Sequence, residues 1–297
     1  MKWENNRRSS NVEDKRSQSG VNLGEGRGGN SMALLLPVVK MLIGTKIGRI
    51  VLVVGVVAYF MGFNPLALLN MGGTSSTSSN QVVNQEVDDK NAQFVSAVLA
   101  QTEDIWTKVF AQYGSKYSEP KLVLFRNSVK SGCGFASSQT GPFYCPADQK
   151  VYLDLSFFDE LAKRHDAPGD FAQAYVIAHE IGHHVQNLVG TINKVQKAKK
   201  SLSDTQDNAL QVKVELQADC YAGLWAYYSK KDFNSIEQGD IQEALNAASA
   251  IGDDTLQKKA QGYVVPDAFT HGSSAQRMDW FKKGFQTGDL KACNTFN

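Results

Sequence analysis

Two histidines four residues apart, with a glutamate directly after the first, are the residues in this chain best suited to chemistry: His179-Glu180-Ile181-Gly182-His183. Residues four apart project from nearly one side of a helix, so both imidazoles can reach a single metal ion. Glu180 then sits beside a water on that metal, within reach of its proton. The segment from Asp170 to Val189 reads as a helix whose opposite stripe, Ile177, Ile181, Val185 and Leu188, would seat it in a core. A pair of surface histidines on an amphipathic helix is the plain alternative, and the residues that follow weigh against it.

A catalytic zinc takes three protein ligands and keeps a fourth position for water or substrate. Glycine at position 186 and histidine at 189 would mark the metzincin class, but these positions hold Gln186 and Val189, which excludes it. Downstream, Val214-Glu215-Leu216-Gln217-Ala218-Asp219 puts two carboxylates at i,i+4 on a helix otherwise rich in Val, Leu, Ala and Cys. Like charges at that spacing repel, so the pair calls for a compensating cation or hydrogen bond. Zinc on Glu215 and an imidazole N–H on Asp219 would supply both. The result is a His179, His183, Glu215 site for one Zn²⁺ per chain, with Asp219 fixing the tautomer of a ligand histidine, His179. A solvated acidic patch is the alternative for both carboxylates. His184, four residues after Glu180, either faces the cleft or is buried behind it.

Several elements must position these groups. Val87 to Tyr113 has helical periodicity, Lys121 to Phe125 reads as a strand, and Gly141 to Leu155 as a β-hairpin turning at Ala147 to Gln149. Helices are expected at about 157–164, 170–189, 205–229, 240–251 and 274–285. Few strands followed by helices predict a mostly helical α+β domain with a small sheet or hairpin. The strand around Val151 to Leu155 is the expected partner for an extended substrate.

The combination of H-E-x-x-H with a later E-x-x-A-D resembles gluzincin zinc peptidases, membrane-anchored ones included. The whole chain is similar to the bacterial family described as putative neutral zinc metallopeptidases. The likeness runs through Asn11-Val12-Glu13-Asp14, Gly132-Cys133-Gly134, Gly141-Pro142-Phe143-Tyr144-Cys145-Pro146, the two zinc motifs, His271-Gly272-Ser273 and Gln276-Arg277. It implies a zincin-like metallopeptidase domain, peptide or protein substrates, and a histidine and an arginine after the third ligand that hold the oxyanion. His271 and Arg277 match those two, where an N–H and a cation would stabilise charge developing in the transition state. A loop histidine and a helix-surface arginine, with Ser273 as a helix cap, is the alternative. The reaction expected is peptide hydrolysis with Glu180 as general base. A membrane-tethered binding or scaffold protein with a structural or vestigial zinc site is the rival from another class.

The chain has 297 residues with 31 Lys+Arg against 30 Asp+Glu, a balance that argues against nucleic acid as a partner. The balance is uneven along the chain: the first 49 residues carry 9 basic and 4 acidic groups (+5), leaving 22 against 26 (−4) for the rest. Residues 1–49 read as a basic, largely disordered cytoplasmic tail. Residues 50–69 are apolar and free of charge, long enough at ~1.5 Å per residue to cross a ~30 Å hydrocarbon core as an uncleaved signal anchor. An earlier run, 32–43, is too short to span and would lie along the membrane surface. Residues 70–86 read as a flexible Gly/Ser/Thr/Asn linker, and 87–297 as the metallopeptidase domain. Lys40, Lys46 and Arg49 precede the anchor and no base follows until Lys90. By the positive-inside rule the N-terminus is therefore cytoplasmic and the domain periplasmic, the chain meeting the lipid bilayer of the bacterial inner membrane through one helix. The four cysteines all lie beyond the anchor. Of their three pairings Cys133 with Cys145 and Cys220 with Cys293 is favoured, in an oxidising compartment.

Overall fold

The computed structural model describes residues 1–18, 85–164 and 167–296. In chain order come β1 (Val12–Asp14), α1 (Gln85–Gln112), β2 (Lys121–Phe125), the hairpin of β3 (Ser128–Ser131) and β4 (Gly134–Ser137), β5 (Phe143–Cys145) and β6 (Lys150–Asp154). Helices follow: α2 (Ser156–Arg164), α3 (Asp170–Leu188), α4 (Thr191–Lys199), α5 (Asp204–Phe233), α6 (Asp240–Ala250), α7 (Asp253–Gln261) and α8 (Ser274–Thr287). The domain is the mostly helical α+β arrangement that the pattern predicts.

The sheet runs β1-β2-β6-β5, with β1, β2 and β6 parallel and β5 antiparallel to β6. Continuous apolar runs in β2 and β6 are what a parallel strand covered on both faces requires. Leu122, Leu124, Val151 and Leu153 point into the core shared with the helices. Val123, Phe125 and Tyr152 point the other way, onto Val129 and Ala136 of the β3–β4 hairpin. The predicted hairpin is β5–β6, but β6 is an interior strand bonded on both sides. The edge strands are β1 and β5, so residues 151–155 offer no free edge to the extended substrate expected there.

Residues 1–18 correct the expectation of a disordered tail. β1 pairs with β2 in the register Val12↔Leu122 to Asp14↔Leu124, and Trp3 is buried edge-on against Phe94 of α1. Low apolar content misled because this arm needs little core of its own: it is held by strand hydrogen bonds and by ion pairs to α1. Helix α1 spans Gln85–Gln112 and so already includes residues 85 and 86, which were expected in the linker. Glu86 and Asp88 favour a helix start there by meeting the positive end of its dipole. No helix among the described residues is long and apolar enough to cross a membrane. The expected anchor at 50–69, the surface run at 32–43 and the linker to residue 84 lie outside the described residues.

α5 is buried all round from Val214 to Ala226, so it carries no amphipathic stripe. α3 packs on it, and α8 packs so closely that glycine is required at the crossing: a Cβ on Gly284 would run into the Cys220 carbonyl, and one on Gly223 into the Phe281 carbonyl. The Cys220–Cys293 disulfide, Cα atoms 5.5 Å apart, fixes the C-terminal turn to the same helix. Gly284→Ala should therefore destabilise the domain by about 1–3 kcal/mol through overpacking. Urea unfolding should show a lower midpoint at unchanged slope.

Candidate metal centre

α3 brings His179 and His183 to the face it shares with α5, and α5 brings Glu215. Gly182, between the histidines, permits this approach: a Cβ there would lie 3.1 Å from the Ala218 Cα. Glu215 Oε2 lies 3.2 Å from His179 Nε2 and 3.5 Å from His183 Nε2. Ligand atoms about 2.0–2.1 Å from a tetrahedral zinc are about 3.3 Å from each other, so these separations are those of a zinc site.

Hydrogen bonding fixes which ring nitrogens face inward. His179 Nδ1 donates to Asp219 Oδ1 at 2.8 Å, leaving the Nε2 lone pair for a metal. His183 Nδ1 donates to the Gln186 amide oxygen at 2.9 Å, and that amide is oriented by donating to the Val214 carbonyl and to Gln217. Two lone pairs and a carboxylate oxygen thus converge where only a cation makes the arrangement favourable. The residues fit zinc.

Asp219 is fully buried. It accepts from His179, from the Tyr175 hydroxyl at 2.5 Å, and from Arg277 through Nε (2.9 Å) and Nη2 (3.0 Å). Burial alone would raise its pKa, but Arg277 and His179 hold it down to about 2. Glu215 is likewise held well below the usual carboxylate range: burial opposes this, and His183 and His179 outweigh it. Gln211 donates to Glu215 Oε1 at 2.9 Å while its own oxygen accepts from Lys199 Nζ at 2.9 Å, which leaves Oε2 for the metal.

Arg277 has a positioning contact that the sequence did not show. Buried at 2% exposure on the cleft's inner wall, it donates to Asp219, Tyr175 and the Ile251 carbonyl, and so positions Asp219. Ser273 caps α8 with Gln276 in a reciprocal pair, which sets Arg277 in the following turn. His271 stands on the cleft wall with its side chain 53% exposed. Asp253 folds the loop around it: Oδ2 accepts from the backbone N–H of Thr270, His271 and Gly272, and Oδ1 lies 3.3 Å from His271 Nδ1.

His184 is buried behind the cleft. It donates from Nε2 to the Ser118 carbonyl and accepts at Nδ1 from the Tyr144 hydroxyl, which accepts from Asn187. Burial lowers its pKa, so it is neutral and ties the β5 strand to α3. Both expected disulfides are present; Cys133–Cys145 anchors the β3–β4 hairpin to β5. Tyr175 and Gln211 each lie one helical turn before a ligand, a spacing that points to them in retrospect. Gln186 lies a turn after His183 on the same helix, whereas Lys199 and Asp253 carried no such signal.

These groups surround a cleft of about 690 Å³ whose wall includes Gly141, Phe143, Tyr144, Glu180 and His271. A family model described as "Putative neutral zinc metallopeptidase" matches residues 1–296. The chain is 47% identical over 296 residues to "Uncharacterized protein YpfJ" of Escherichia coli K12, covering 100% of this chain and 99% of that protein. It is 45% identical over 191 residues to "Uncharacterized protein Rv2575" of Mycobacterium tuberculosis H37Rv, 61% of this chain and 64% of the other. No solved structure matches.

Two outcomes follow from the site. Without metal, burial of His179 works against protonation, yet Asp219 and Glu215 raise its pKa to about 10, and Glu215 raises that of His183. Zinc must displace these protons, so its affinity should rise with pH from 6 to 9, with proton release on binding measurable by calorimetry in buffers of different ionisation heat. Gln211→Ala should weaken zinc about 10–100-fold in a chelator competition while the fold is retained.

Proposed function

The chain belongs to the putative neutral zinc metallopeptidase family, and from that premise we propose that it is a zinc-dependent endopeptidase acting outside the cytoplasm. The observation that carries this reading is the pairing of three donor atoms spaced for one zinc with Glu180 on the wall of the same cleft. Structural zinc sites are closed by four protein ligands. Among the described residues no fourth histidine, cysteine or carboxylate joins His179, His183 and Glu215, and every cysteine is in a disulfide.

A zinc ion held there would polarise the scissile carbonyl and make a water acidic enough to lose its proton near neutral pH. Glu180 accepts that proton as the water attacks, then delivers it to the departing amine. His271, its Nδ1 3.3 Å from Asp253 Oδ1, presents Nε2 to the negative charge that builds on the carbonyl oxygen. Arg277, Tyr175 and Asp219 keep His179 in the tautomer and orientation a ligand needs.

The free edge of β5 supports an extended peptide as substrate. A peptide added there as a further strand is read through its backbone, with little demand on sequence. Phe143 and Tyr144 supply apolar contact along that edge. The two disulfides support an oxidising compartment, hence the extracytoplasmic side of the membrane. Residues 50–69 are the part of the chain proposed to enter the bilayer.

Glu180→Gln should retain one zinc per chain by metal analysis and lose about 10²–10⁴-fold in kcat on a peptide library. Full activity in this variant would refute Glu180 as the base, and loss of zinc would show that Glu180 serves the site rather than the reaction.

A further inference from the structure

Residues 1–18 are built into the metal domain at several independent points. β1 lengthens the sheet, with Lys15 N–H bonded to the Leu124 carbonyl and Leu122 N–H to the Asn11 carbonyl. Ser9 and Ser96 exchange hydrogen bonds, the Ser9 N–H reaching the Ser96 carbonyl and the Ser96 hydroxyl the Ser9 carbonyl. Glu103 on α1 is 1% exposed, and its carboxylate is satisfied from this arm by Ser9 Oγ (2.5 Å), Asn11 Nδ2 (2.9 Å) and Arg7 Nη2 (2.8 Å). Without the arm those oxygens would lose the partners that make a buried carboxylate tolerable. Glu13 is held by Lys150 and Lys121 of β6 and β2.

The arm's exit and the chain's return are also clamped together. Arg16, two residues before the last described residue of the arm, donates to Asp88 at 2.6 Å and to Asp89 at 3.1 Å, in the first turns of α1. Arg126 closes on Asp88 from β2's end. The end of the described arm and the start of α1 therefore lie at one place on the domain.

We infer that residues 1–18 and the metal domain lie on the same side of any membrane this chain enters, so that the 66 residues 19–84 meet the bilayer as an insertion and return to the side they left. A chain whose two flanks share one folded sheet crosses an even number of times, zero included. A single crossing at residues 50–69 would put β1 and β2 on opposite sides and remove the partners of Glu103. The basic flank Lys46 and Arg49 orients only the near end of that apolar stretch, because another apolar run, 32–43, separates it from residues 1–18. The single-pass arrangement with a cytoplasmic N-terminus is the one this sheet forbids.

The test is labelling of the full chain in its membrane with a membrane-impermeant maleimide, before and after lysis of spheroplasts. All four native cysteines are paired, so background is low. Single cysteines go at exposed positions: Ser10→Cys or Lys2→Cys in the arm, Lys258→Cys in the domain. The expected result is the same pattern for all three, labelling complete before lysis. Arm and domain labelling on opposite sides of lysis would overturn the inference. Labelling of all three only after lysis would keep the shared side and overturn instead the extracytoplasmic setting proposed for the peptidase.

Discussion

Two carboxylates one helical turn apart, both buried, are the constraint around which this domain is arranged. Glu215 and Asp219 cannot both be ionised in a dry interior unless each has its own cation or donor set. Asp219 has Arg277, Tyr175 and the His179 N–H. Glu215 has Gln211 on one oxygen and two imidazoles facing the other. The packing serves this division: α8 approaches α5 on a glycine crossing and delivers Arg277, while α3 approaches on Gly182 and delivers both histidines. A metal ion at Glu215 would complete on one oxygen what Arg277 does for its neighbour.

Much of the site was legible in the sequence, because the i,i+4 spacing of His179 and His183 and of Glu215 and Asp219 is local helical geometry. The same geometry pointed to the need for a compensating charge, though not to where it sits. Arg277 was found by resemblance, without its bond to Asp219. Nothing in one sequence tells that a guanidinium near position 277 folds back on Asp219. Lys199 and Asp253 were missed for the same reason, since their partners are brought to them by tertiary packing.

The fold was legible where periodicity is strong and lost where elements are short and polar. α4 and α7 bury one residue each, Val195 and Asp253, and so show no apolar stripe. The β3–β4 hairpin has two short polar strands. β1 is three residues long and borrows its stability from β2 and from Glu103, so composition alone made it a tail. The single-pass membrane topology expected from the sequence rested on that reading. An arm that completes a sheet cannot be parted from it by a bilayer.

The most direct test of the centre is X-ray absorption at the zinc edge on the full chain as purified with zinc. Two imidazoles, one carboxylate and one water predict a first shell of nitrogen and oxygen alone at about 2.0–2.1 Å, with outer-shell scattering from two histidines. Sulfur at about 2.3 Å, a closed shell of four protein ligands, or no stoichiometric zinc at all would contradict it.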